Sequence, residues 1–239
     1  MKKTRQHTGR TAVVLAAGSG TRLGAGANKV WLPLGGRELA TWSFRWLQQT
    51  ELFDRYVIVV HPSEREAARD ILKRHVDVPV DIVDGGSSRH DSETRALEYL
   101  SASIESGDCA FVLIHDGARP LASPSLVRRI VHAAEESGGS LPYLDTAHIT
   151  GSHEGQRLVR VQTPQVFAAR PLLDAYRQAA VAGFEGSDTS MCMERFRPDI
   201  PVRVVKGSAQ NLKVTYRSEE HTSELQSHLN LVCRLLLEK

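Results

Sequence analysis

The sequence predicts an α/β fold, with a mainly parallel, twisted sheet, helices on both faces and a small protruding β-arm. Three observations carry that expectation. Short apolar, β-branched runs recur along the chain, segments with helical apolar spacing separate them, and the loops after the runs are dense in Gly, Asp and Arg. Strands alternating with helices build parallel sheets, because each parallel return needs a crossover that lies on a sheet face.

Residues 12–15, Ala-Val-Val-Leu, form the first predicted strand. Residues 38–49 place Leu39, Trp42, Phe44, Trp46 and Leu47 at roughly helical spacing, and 56–60 is a β-branched run, so these segments make one βαβ unit. A charged helix over 64–74, a short strand over 80–83, a helix over 89–100 and an apolar strand over 110–114 continue the alternation. Ser123-Pro124 opens a helix over 125–137 and Gly138-Gly139 stops it. Over 141–165 the alternation breaks, and Asp145, Thr146, His148, Gly151 and Gly155 mark a hairpin leaving the sheet, the arm. Helices over 170–182 and 188–195, a strand over 202–205 and a short strand over 212–215 complete the pattern, with Asp188 open to two equal readings, a helix N-cap or part of a segment near the functional site.

The chain has 239 residues, of which 41% are hydrophobic and 24% charged, enough for one domain with a sizeable core. Its formal net charge of +2 is small and its cations are dispersed, which argues against nucleic acid as a partner. No apolar run approaches membrane-spanning length, so no membrane partner is expected and the expected location is cytoplasmic. Cys109, Cys192 and Cys233 have no metal-ligand spacing and read as reduced thiols. His61, His75 and His90 are scattered, also without ligand spacing, and are expected to face solvent.

The loop after the first strand, Ala16-Ala17-Gly18-Ser19-Gly20-Thr21-Arg22, has the composition of a phosphate cradle. Its glycines let backbone N–H groups crowd around phosphoryl oxygens, and Arg22 and Lys29 add mobile cations. The spacing of Gly18, Gly20 and Gly24 matches neither a P-loop nor the GxGxxG of dinucleotide sites, which argues against ATPase and dehydrogenase chemistry. Ligands of such sheets collect beyond the carboxyl ends of the strands, which directs attention to residues 16–36, 84–89 and 115–120. Asp116, directly after a strand, suits a carboxylate that presents oxygen to Mg²⁺, and equally a turn aspartate. Arg119 either contacts a ligand or orders the loop by pairing with Asp116. Arg89 and Ser92 are either ligand contacts or the ordinary first turn of a helix.

Five motifs in one order now carry a family resemblance: Ala16 to Arg22 with Lys29 and Leu32-Pro33-Leu34; Asp84-Gly85-Gly86 with Arg89 and Ser92; His115-Asp116-Gly117-Ala118-Arg119-Pro120; Thr163-Pro164-Gln165; and Asn211-Leu212-Lys213-Val214-Thr215. From about residue 11 to 216 the chain resembles the 2-C-methyl-D-erythritol 4-phosphate cytidylyltransferases and the related ribitol-5-phosphate cytidylyltransferases. The resemblance implies a Rossmann-like fold similar to the nucleotide-diphospho-sugar transferases, a CTP-dependent nucleotidyltransferase activity, Mg²⁺ as cofactor, and a homodimer formed through the arm. It implies Arg22, Lys29 and Lys213 as catalytic cations and Asp116 as metal ligand. It implies Ala16, Ala17, Gly18, Gly20, Gly86, Arg89 and Ser92 around the nucleotide, with Arg119, Asp145, Thr146 and Thr163 around a polyol phosphate acceptor. The implied acceptor is 2-C-methyl-D-erythritol 4-phosphate, for isoprenoid precursors; ribitol phosphate, for cell-envelope polymers, is the alternative. The arm is short for the family, and His148 stands where the family often carries another basic residue. A nucleotide-binding module without catalysis would tolerate loss of Lys29 or Lys213, and both are present.

Residues 1–216 are thus expected to form a single domain. After Tyr216 the segment Arg217 to His228 reads like an in-frame translation of a sequencing-library adapter, and 217–239 is expected to be a non-native tail.

Overall fold

The computed structural model describes residues 9–18, 28–145 and 159–214. The first half comprises β1 (Arg10–Ala16), a 3-10 turn (Lys29–Trp31), the hairpin strands β2 (Pro33–Leu34) and β3 (Arg37–Glu38), α1 (Thr41–Gln48), β4 (Arg55–Val60), α2 (Arg65–His75), β5 (Asp81–Asp84) and α3 (Arg89–Ser106). The second half comprises β6 (Phe111–Asp116), α4 (Pro124–Ser137), β7 (Gly139–Asp145), β8 (Val159–Val161), β9 (Gln165–Ala168), α5 (Ala169–Ala182), α6 (Thr189–Phe196) and β10 (Val202–Lys206).

The main sheet runs β10-β7-β9-β6-β1-β4-β5, with β8 pairing beside the outer half of β7. The pairs β1·β4, β1·β6, β4·β5 and β7·β10 are parallel, and β9 runs antiparallel to both β6 and β7. Strand side chains alternate between two apolar layers, as the pleat requires. Ala12, Val14 and Ala16 meet α1, α2 and α4 on one face, while Val13 meets α3, α5 and α6 on the other. Helix ends follow local chemistry: Ser88 and Ser123 accept from Asp91 N–H and Leu126 N–H at the starts of α3 and α4, and Gly138, at φ 94°, ends α4 in the left-handed conformation.

Chain order places the ligand end of this sheet. From β1 the strands proceed outward to β4 and β5, then the chain crosses back to lay β6 on the other side of β1. The order therefore reverses between β1 and β6, the point where open α/β sheets bind ligands. Among the described residues no helix is long and apolar enough to cross a membrane.

Four sequence expectations need correction. The helix expected over 38–49 starts at Thr41, because residues 37–38 are drawn into the hairpin with 33–34. The helix expected over 89–100 continues to Ser106, since Ile104 stays on the buried face. No strand forms over 212–214, although the Val214 N–H still donates to the Ala118 carbonyl; Thr215 lies outside the described residues. The arm expected over 141–165 is rooted more deeply than its hairpin reading implied. β7 and β9 belong to the main sheet, the pairing of Tyr143 to Asp145 with β8 is the stem of the arm, and residues 146–158 lie outside the described region.

Candidate active site

β6 delivers Asp116 to the switch point, opposite Leu15 of β1. Its backbone N–H donates to Thr163 Oγ1 at 3.0 Å, and Thr163 lies within 3.3 Å of His115 Nδ1. His115 Nε2 stands 3.0 Å from the Arg119 carbonyl, which assigns the ring: Nε2–H donates outward and Nδ1 accepts from the threonine hydroxyl. Burial pushes the His115 ring down to about 3, so it stays neutral and keeps that tautomer. Thr163 was expected to face an acceptor, but its hydroxyl is committed inward as a brace for the end of β6.

Cations from separate parts of the chain converge on the Asp116 carboxylate. Arg89 Nε approaches Oδ1 at 3.3 Å, Lys213 Nζ approaches Oδ2 at 2.9 Å, and Arg119 Nε lies 3.6 Å from Oδ2. Burial alone would raise this carboxyl, but Arg89, then Lys213 and Arg119, outweigh it and hold Asp116 well below the ordinary carboxylate range.

Lys213 reaches this point because residues 207–214 are pinned across the sheet edge. Gln162 Nε2 donates to the Ser208 and Asn211 carbonyls at 3.1 and 2.9 Å, and Asn211 Nδ2 donates to the Thr163 carbonyl at 2.8 Å. Arg119 Nη1 also donates to the Asn211 carbonyl at 2.8 Å, so Arg119 orders the loop through both Asp116 and Asn211. Gln162, absent from the sequence motifs, is the residue that holds this crossing segment.

On the β1 side, Asn28 Nδ2 donates to the Ala16 carbonyl at 2.7 Å. That bond brings the half-buried Lys29 back beside the end of the strand; Gly18 is exposed, and Gly20 and Arg22 lie outside the described residues. The loop after β5 packs against this strand end: a Cβ on Gly85 would fall 2.2 Å from the Ala17 Cβ. Only glycine permits that approach. Gly86 N–H donates to Ser92 Oγ at 3.1 Å and that hydroxyl donates to the Ser88 carbonyl at 2.8 Å, so Ser92 shapes the loop. Asp145 sits exposed at the end of β7, and Thr146 lies outside the described residues.

Beneath Arg89 lies a group that the motifs did not include. Glu93, fully buried on α3, takes Thr189 Oγ1–H on Oε1 at 2.6 Å and Tyr176 O–H on Oε2 at 2.5 Å, while Arg89 Nη1 lies 2.7 Å from Oε1. Burial pushes the Glu93 carboxyl up, opposed by Arg89, Thr189 and Tyr176. The signal was present in the sequence: an acidic residue at helical spacing with Ala96, Leu97 and Leu100. His90, expected in solvent, is 7% exposed and stacks on Tyr176 at 4.7 Å. His75 pairs with Glu38 at 2.9 Å, while His61 is exposed and caps a short 3-10 turn.

Among the described residues no group of three or more His, Cys, Asp or Glu side chains is placed to hold a metal. Asp116 alone, with its oxygens shared among cations, suits an ion that arrives chelated by phosphates and takes one protein ligand.

Comparison with known proteins gives the family and the fold. The family model described as IspD, 2-C-methyl-D-erythritol 4-phosphate cytidylyltransferase, matches residues 11–225. The chain is 34% identical over 215 residues to a protein of that name from Bacillus mycoides, covering 86% of this chain and 92% of the relative. It is 36% identical over 215 residues to one from Cereibacter sphaeroides, covering 86% and 91%. In fold it is similar to the crystal structure of 4-diphosphocytidyl-2C-methyl-D-erythritol synthase from Anaerococcus prevotii, with a TM-score of 0.76, 22% identity and 95% of each chain covered.

Proposed function

Because the chain belongs to the 2-C-methyl-D-erythritol 4-phosphate cytidylyltransferase family, we propose that it transfers CMP from CTP to 2-C-methyl-D-erythritol 4-phosphate in isoprenoid precursor synthesis. An oxygen of the acceptor's phosphate attacks the α-phosphorus of CTP, the bridging bond to the β-phosphate breaks, and pyrophosphate leaves. Such transfer asks for positioning and for cations around the phosphoryl oxygens rather than for a protein nucleophile. The observation that carries the reading is the arrival of Lys213, from late in the chain, at Asp116 beside the end of β1.

In this reading Arg22, Lys29 and Lys213 neutralise the triphosphate. The backbone near Ala16, Ala17, Gly18, Gly20 and Gly86 surrounds the nucleotide, with Ser92 and Arg89 setting the loop. Arg119, Asp145 and Thr146 face the acceptor, and Thr163 acts behind Asp116. Asp116 would hold Mg²⁺, which would supply charge neutralisation to the triphosphate. In this reading residues 1–216 form the catalytic domain and 217–239 are a non-native tail, although the family match runs on to residue 225. The protein works in the cytoplasm, consistent with free, buried Cys109 and Cys192, and as a homodimer through the arm.

Pyrophosphate release from CTP and Mg²⁺, measured with each acceptor in turn, tests the reaction. Turnover should favour 2-C-methyl-D-erythritol 4-phosphate. A clear preference for ribitol phosphate, or no release with either acceptor, would overturn the assignment. A chain truncated after Tyr216 should retain the activity, and sedimentation should give a dimer.

A further inference from the structure

We infer that Glu93 is a positioning residue, a buried anchor that fixes the Arg89 guanidinium so that its Nε side holds the Asp116 carboxylate facing Lys213. The inference rests on the CTP-dependent reading above, because it assigns Glu93 an effect on the same site.

The geometry is that of a clamp with two jaws. Arg89 contacts Asp116 through Nε at 3.3 Å and Glu93 through Nη1 at 2.7 Å. Nη1 and Nη2 are buried and make no aligned hydrogen bond in the structure, so the ion pair with Glu93 is what restrains that end of the guanidinium. Glu93 is itself restrained from two further helices, by Tyr176 of α5 and Thr189 at the start of α6. A buried carboxylate held by two hydroxyl donors cannot swing, and Arg89, ion-paired to it, inherits that rigidity. Arg89 is held above its ordinary value by Glu93 first and Asp116 second, against burial, so it remains the cation the clamp needs.

Without the Glu93 charge, nothing else in the described region restrains the outer end of Arg89. The guanidinium would then turn toward Asp116 and draw that carboxylate away from Lys213. Chemistry should suffer more than nucleotide capture, because Lys213 is one of several cations for CTP but has one productive position.

The test uses the full chain and the near-isosteric Glu93→Gln. Its kcat for pyrophosphate release should fall roughly tenfold to a hundredfold, the scale on which displaced catalytic groups lose rate, with KM for CTP changed less than threefold. In an Arg89→Met background the same change should add little, since Glu93 acts through Arg89. A purely structural role predicts instead that the losses multiply, or that kcat and KM worsen together. Nitrogen NMR of the Arg89 Nε–H supplies a readout independent of turnover: a protected signal in the parent chain that loses protection in Glu93→Gln. If that signal and kcat are both unchanged, the inference fails. If the parent chain turns over neither acceptor, the functional reading fails, and retained protection of Arg89 in Glu93→Gln would still remove the anchor.

Discussion

Arg89 has a carboxylate on each side, and the two regions they belong to are built differently. Around Asp116, at the carboxyl end of the central strand β6, cations arrive from the start of α3, from the loop after β6 and from the segment after β10. Around Glu93, under that strand end, one guanidinium and two hydroxyls close on the carboxylate from three helices. Several cations overcome desolvation and drive the Asp116 carboxyl down, whereas burial dominates at Glu93 and drives it up. A carboxylate with an excess of cations can lend one to an incoming phosphate and stay paired; one with a single partner cannot. The difference separates the part of the site that exchanges partners from the part that holds still.

The strongest way to break this contrast is Lys213→Ala. Removing a cation from the exchanging side should cut the rate of pyrophosphate release roughly a hundredfold to a thousandfold while the fold survives, because Lys213 is exposed. A rate within threefold of the parent would place the working end elsewhere.

Acid sharpens it next. His115 titrates ordinarily near 6.5 when unfolded but near 3 when buried, so the unfolded chain binds the extra proton between those values. Its contribution to stability is present above about pH 6.5 and is lost as the pH falls toward 3. In metal-free buffer, urea unfolding from pH 7 to 4 should show stability falling, and His115→Gln should reduce the slope by about one proton. Asp116, with its lowered value, contributes stability that is present above the ordinary carboxylate range and is lost only as the pH falls below it, so it leaves the slope between pH 7 and 4 largely to His115. An unchanged slope in His115→Gln would contradict the buried, neutral ring.

Thr163→Val then leaves the Asp116 N–H and His115 Nδ1 without a partner, an expected loss of about 1–3 kcal/mol in urea unfolding. Tyr176→Phe should have the smallest effect. It removes one donor from the still side, costing about 1–2 kcal/mol of stability, with kcat within threefold of the parent because Arg89 keeps its charge partner. A larger kcat loss than that of Glu93→Gln would reverse the roles assigned to the two residues.

The sheet and the exchanging side were legible because each leaves a local trace. β-branched runs end in Gly-, Asp- and Arg-rich loops, and parallel strands bring those loops to one edge. Asp116, Arg119 and Lys213 were readable by motif, and the structure brings them together. The still side was hidden because its pairings are long-range: Glu93 meets Tyr176 and Thr189 across helix packing, and no spacing in the chain announces that three helices share one carboxylate. His90 was misplaced for the same reason, since its ring is covered by Tyr176 of another helix. The expected last strand failed differently. Its alternating exposure is present at 212–214, but Val214 N–H donates to the Ala118 carbonyl rather than to a strand ladder, and Gln162 holds the chain just ahead of it at Ser208 and Asn211.

Gln162 lies where β8 gives way to β9, one residue beyond the stem of the arm, and its amide grips the carbonyls of Ser208 and Asn211, two residues ahead of Lys213. The projection and the lysine carrier are therefore bolted at a common rivet. A displacement of the β7–β8 pair would be passed toward the ammonium over only a few residues of chain, without travelling through the hydrophobic interior.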